Sequence, residues 1–213
     1  MPVLTFETET DVIFLGYYAA RQDDSENFRL WEVAGTAHYD SYGLVVGMTD
    51  IGDSPDVAAV VPISSAAGGF IDCDTPFNSG PQHFVLNAAW NKLIRWVRTG
   101  KAPKSAPRLD VTAGPPAAID RDVHGNALGG IRTPYVDAPI ATLQGQGAGS
   151  IVCLIFGSTT LFDSAKLASL YPTHKAFTSA YNRSLNRAVK KGWILKPDAK
   201  LMKKWAAGSG IGG

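Results

Sequence analysis

Apolar and polar positions along the chain are strand-like near the start, irregular in the middle and helical near the end. Residues 3–7 (Val-Leu-Thr-Phe-Glu) form a short apolar run that predicts a buried strand. Residues 12–20 are apolar but interrupted by Gly16, and read as loop and short helix. After a polar turn at 23–27, Phe28-Arg29-Leu30-Trp31-Glu32-Val33 alternates apolar with polar, which predicts a second strand. It runs out through the small residues Ala34-Gly35-Thr36-Ala37 to His38. Residues 43–82 are rich in Gly, Pro, Asp and Ser and have no period, the mark of a long irregular excursion.

Helical spacing returns at 83–98, where Val85, Ala89, Leu93 and Trp96 or Val97 fall on one stripe, with Gly100 and Pro103 as stops. Residues 101–149 carry much of the proline and glycine. Short strands are expected there at 108–111, 118–121 and 140–144, with a turn at Val123-His124-Gly125-Asn126. The apolar run 150–156 is strand-sized. Helices are expected at about 163–170, 173–190 and 197–207, with Pro197 in a first turn and Gly192 as a stop. The pattern divides the chain into 1–100, a Pro/Gly-rich short-strand region at 101–149, a helical region at 150–207 and a flexible tail at 208–213.

Composition narrows the function classes. With 45% hydrophobic and 18% charged residues, the 213-residue chain is expected to fold around a sizeable core. A net charge of +1 gives no field that favours nucleic acid. No apolar run reaches the length of a membrane span. Cys73 and Cys153 form no Cys-x-x-Cys pair, and no histidines sit at metal-ligand spacing, so neither a metal nor another cofactor is expected. A disulfide and two buried thiols fit the two cysteines equally well.

His38 is the foremost candidate for chemistry. Loops at the carboxyl ends of strands carry function in open α/β sheets, and imidazole accepts and returns protons near neutral pH. Asp11 follows the first strand closely, and Glu9 lies two residues before it. Either carboxylate could hold an imidazole in one tautomer, and an acid that precedes its histidine obeys the order of α/β-hydrolase triads. No Gly-x-Ser-x-Gly is present. Ser158, in Phe156-Gly157-Ser158-Thr159, is the nearest imitation of a nucleophile elbow, but it follows the histidine.

Several segments together resemble the large, poorly characterised α/β-hydrolase-domain proteins. Residues 28–38 resemble their histidine segment, and Thr8-Glu9-Thr10-Asp11 the stretch after the preceding strand. Asn78-Ser79-Gly80-Pro81-Gln82-His83, Ala88-Ala89, Arg95-Trp96-Val97-Arg98-Thr99-Gly100, Gly125–Pro134, Phe156–Thr159 and Leu170-Tyr171-Pro172 follow in order. The resemblance spans about residues 2–205. It implies an α/β fold, here the C-terminal part of an α/β-hydrolase with its last parallel strands, helices and short-β insertions. It also implies that His38 is a triad base, that Asp11 or Glu9 is its acid, and that the nucleophilic serine lies in a missing N-terminal half. The expected activity is hydrolysis of a small-molecule ester or acyl compound, with the lone chain inactive; export of the full-length protein is compatible with the resemblance. Two rival expectations are a non-catalytic carbohydrate- or protein-binding module, compatible with five tryptophans and seven tyrosines, and a partner subunit of a split hydrolase.

Overall fold

A computed structural model describes residues 1–213. The first strand, β1 (Val3–Thr8), leads directly into a short helix, α1 (Glu9–Ile13), and a 3₁₀ turn at Tyr17–Ala20. The chain then returns as β2 (Phe28–Val33), parallel to β1, with Phe6 opposite Trp31 and Thr8 opposite Val33. Alternation explains which face is buried: Leu4, Phe6, Trp31 and Val33 point into the main core, and Glu7 and Glu32 lie on the other side. β1 is only half-buried, less than its apolar run predicted, because β2 is its one partner strand. Val3 N–H donates to Asn27 O, so by strand alternation the amides of Leu4 and Phe6 face an open edge.

Residues 43–82 are irregular, as their composition indicated. They hold a π-helical turn at Tyr42–Val46, 3₁₀ turns at Pro55–Ala58 and Ala67–Gly69, and a two-residue hairpin of β3 (Ser65–Ala66) and β4 (Ile71–Asp72). The Cys73–Cys153 disulfide clips this excursion to the loop before residue 156. Phe77 and Phe156 pack edge-to-face beneath it. The bridge closes 80 residues of chain. Replacing both cysteines by serine is expected to cost about 4 kcal/mol, read as a lower urea midpoint with a somewhat steeper slope, because the unfolded chain is freed to expand. An unchanged midpoint would remove the clip from the stability argument.

The predicted central helix is α2 (Gln82–Thr99), closed by Gly100 at φ 68°. Phe84, Val85, Ala88, Ala89 and Trp96 form its buried stripe, and Arg29 caps the Trp96 ring. Trp90 and Val97 point outward, so the stripe runs through Trp96 rather than Val97. Beyond α2 come the hairpin of β5 (Val111–Thr112) and β6 (Ala118–Ile119), the single turn α3 (Pro134–Asp137), and the antiparallel pair β7 (Ala141–Gln144) and β8 (Ser158–Leu161). The turn at 123–126 sits between bridge residues Arg121 and Ala127. The expected strand at 108–111 is reduced to a bridge at Leu109 plus β5.

The run 150–156 is not a strand. Its own amides bond locally, Cys153 N–H to Ser150 O and Phe156 N–H to Cys153 O, in a 3₁₀ turn, and the carbonyls of Leu154, Ile155 and Phe156 accept single bonds from the amides of Gly147, Tyr39 and Asn78, three separate loops rather than one strand. The strand begins later, at Ser158, whose hydroxyl donates to Gln146 O. Ser158 therefore opens an antiparallel strand and does not sit on an elbow.

Three helices close the core. α4 (Ser164–Leu170) is capped by Asp163, α5 (His174–Lys191) by Thr173 and Gly192, and α6 (Lys196–Gly208) carries Pro197 in its first turn. Phe177, Tyr181, Leu185 and Ala188 of α5, one stripe at helical spacing, meet Met202 of α6 and Val85 of α2 in the main core. Each such fully buried side chain contributes about 1.5–3 kcal/mol. Ile211, in the segment expected to be a flexible tail, packs on this core and accepts a hydrogen bond from the His174 ring. No helix is long and apolar enough to cross a membrane.

Candidate active site

Asp11 and His38 follow the carboxyl ends of adjacent parallel strands, and their side chains meet. Asp11 Oδ1 lies 2.5 Å from His38 Nδ1. Local sequence builds the acid side. Thr8-Glu9-Thr10-Asp11 is a capping box: Thr8 Oγ1 accepts from Asp11 N–H, and Asp11 Oδ2 accepts from Thr8 N–H (2.8 Å) and Thr8 Oγ1 (2.6 Å). One carboxylate oxygen is thus fixed by the start of α1, and the other is left to orient the imidazole.

Small residues build the histidine side. Gly35 holds φ 75°, and Thr36 Oγ1 bonds back to Val33 O. A Cβ on Gly80 would fall 1.9 Å from Gly35 O, so the loop before α2 can press against the histidine loop only as glycine. His38 N–H donates to Thr10 Oγ1 (3.0 Å), and Gln82 Nε2 donates to His38 O (3.2 Å). The imidazole is about half exposed, and its only hydrogen bond is the one to Asp11. Nε2 is left facing outward. No serine, threonine or cysteine side chain of the chain bonds to it.

Glu9 sits two residues from Asp11 and behaves differently. It is almost fully buried. Oε1 accepts from Gly35 N–H (2.7 Å), and Oε2 accepts from Arg121 (2.9 Å) and Gly145 N–H (3.2 Å). Burial pushes its carboxyl above the usual range, and the Arg121 guanidinium opposes that shift. Thr10 bonds Gly145 O as well. Three consecutive residues of α1 therefore divide the work: Glu9 and Thr10 tie down the loops at 35–38 and 145, and Asp11 alone reaches the imidazole.

A family model for an alpha/beta hydrolase domain matches residues 1–204. The chain belongs to this alpha/beta hydrolase domain family. No curated protein and no solved structure matches it significantly. The match covers nearly the whole chain, in agreement with the resemblance over 2–205, and it supports hydrolase activity for the family member described here.

Two further carboxylates near Asp11 and His38 were not singled out by sequence. Asp40 is buried and raised to about 6 by burial, with Gly43 N–H donating to one oxygen and nothing to the other. Glu7, half-buried on β1, has no hydrogen-bond partner. Burial first, then the charges of Asp11 and Glu32, raise it to about 7. Its folded value exceeds its unfolded one, so it favours folding below about pH 4.5 and loses that advantage as pH rises through 7. Glu7→Gln is therefore expected to stabilise at pH 8 by about 1 kcal/mol, a figure reduced for solvent screening, and to change little at pH 4. Denaturation at the two pH values checks this, and equal effects at both would contradict it. The capping box was the one legible signal for Thr8. Nothing in the sequence marked Arg121 as the partner of Glu9, because 112 residues separate them.

The other histidines lie apart. His83 stacks on Tyr42 at 3.8 Å, and burial lowers it to about 4. His124 lies in its turn, with its backbone N–H on Asp122, and His174 bonds the carbonyls of Ala207 and Ile211. No group of three or more His, Cys, Asp or Glu side chains is arranged to hold a metal ion.

Proposed function

We propose that the chain supplies the base and acid of a serine ester hydrolase, with His38 as base and Asp11 as acid. The nucleophilic serine would come from a polypeptide segment outside residues 1–213, the N-terminal half of the same fold. One observation carries this reading: a carboxylate fixed by two donors holds Nδ1 of an imidazole whose Nε2 is unbonded and open to solvent. Asp11 is preferred to Glu9 because the oxygens of Glu9 are already occupied by three donors.

In this mechanism the serine attacks the ester carbonyl as His38 Nε2 takes its proton, and Asp11 stabilises the imidazolium. His38 then passes the proton to the departing alcohol, and water, activated the same way, releases the acid. The open edge of β1 favours a further strand beside this pair, since unpaired strand amides are a template for addition. Residues 1–100 would then belong to the catalytic core, the excursion at 43–82 and the region at 101–149 would shape the pocket, and the helices at 150–207 would pack on the core. The Cys73–Cys153 bond suits an oxidising compartment, in keeping with export of the whole protein.

The test is ester cleavage by the whole protein with His38 intact and replaced. The chain of residues 1–213 alone is expected to cleave nothing at enzyme-like rates. Cleavage by it would assign the nucleophile to one of its own residues and overturn the division of the triad.

A further inference from the structure

A cavity of about 580 Å³ opens between α1, the β5–β6 hairpin and the end of β7. Its size is that of a small-molecule site. One wall is apolar, with Ile13 at the end of α1, Phe14 just after it and Ile119 on β6. Gln144 and Gln146 line it as well, and their side-chain amides make no hydrogen bond within the chain. Arg121 and Glu9 complete the lining, paired with each other at 2.9 Å. Thr10 belongs to this cavity and also accepts the backbone N–H of His38. The next residue along α1 is Asp11.

The charges of this lining select the ligand. Arg121 faces a carboxylate that is buried and already holds its positive charge. A second carboxylate brought alongside would meet Glu9 at close range and lose to like-charge repulsion. A cation would find Glu9 enclosed by Arg121, Gly35 N–H and Gly145 N–H, with no oxygen left to offer. The groups left open are two neutral primary amides, each with a donor and an acceptor, opposite a hydrophobic face.

We propose that this cavity binds the uncharged, hydrogen-bonding end of the ester substrate, a flat apolar group bearing a neutral amide. The inference rests on the proposed hydrolase reading only for where the cleaved bond lies, beside His38. Binding itself needs no nucleophile.

The experiment titrates the chain with three matched phenols, 4-acetamidophenol, phenol and 4-hydroxybenzoate, followed by NMR shifts of residues 9–14 and 117–121. 4-Acetamidophenol is expected to bind roughly fivefold tighter than the other two, the factor one neutral hydrogen bond supplies. Gln144→Leu or Gln146→Leu should bring it down to the level of phenol, and Phe14→Ala should weaken all three. Tightest binding by 4-hydroxybenzoate would make this an anion site on Arg121 and overturn the proposal, as would no binding by any of the three. If the predicted order holds but the whole protein fails to cleave 4-acetamidophenyl acetate, the hydrolase reading falls and the cavity assignment stands.

Discussion

Replacing His38 by alanine in the whole protein is expected to lower kcat/KM for ester cleavage by at least about 10⁴-fold, more than about 5 kcal/mol of transition-state stabilisation. The loss should appear in kcat, because the imidazole acts on a proton that moves only as the reaction proceeds. Asp11→Asn should come close to the same loss, since the amide keeps the shape but favours the wrong imidazole tautomer. Neither change should cost much stability. His38 is half exposed, its ring bonds nothing but Asp11, and such exposed pairs are worth about 0–1 kcal/mol. In ¹⁵N NMR spectra of the chain alone, neutral His38 should show its proton on Nδ1, pointing to Asp11. Esterase activity that survives His38→Ala undiminished would sink the proposed function, whatever the structure of the pair.

Glu9→Gln should do the reverse, costing about 4 kcal/mol of stability. Glutamine fills the space but leaves Arg121 without its counter-charge. It also turns an N–H₂ toward at least one of the donors now shared by Gly35, Gly145 and Arg121. Breaking a buried pair from one side is costly because the surviving charge stays where water cannot reach it fully. For a chain of this length that loss corresponds to a fall in Tm of roughly 10 °C. The two carboxylates are a natural pair for measurement: two residues apart in α1, one expected to change rate and spare stability, the other to change stability first. A Glu9→Gln protein as stable as the parent would mean that the buried carboxylate is not what holds the histidine loop in place.

The difference between Asp11 and Glu9 is where sequence reasoning stopped. Both follow the first strand and precede the histidine, so chain order admits either. The choice comes from contacts 26 to 136 residues distant, with Gly35, Arg121 and Gly145, that no local pattern contains. The failure at 150–156 has a related cause. Apolar runs of that size suit a strand, a buried turn or a short helix equally. Here the segment is a turn anchored by the disulfide at Cys153 and by single backbone bonds from Tyr39, Asn78 and Gly147, residues no local pattern contains. The cysteines themselves were ambiguous until their Cα atoms were seen 5.6 Å apart.

What the sequence determined by itself is the set of elements whose cause is local. The alternation of Phe28–Val33, the stripe of α2 with its stop at Gly100, the stop at Gly192, Pro197 in the first turn of α6 and the small residues leading to His38 all act within a turn or two of chain, and each reappears in the fold. The order and spacing of these segments also carried the alpha/beta hydrolase family. Tertiary structure alone decided which carboxylate meets the imidazole, that Ser158 belongs to a strand, and that a cavity with a neutralised arginine lies one residue from the acid. Those outcomes depend on hydrogen bonds and charge pairs between distant residues. Their strength is set by burial, and burial exists only once the chain has folded.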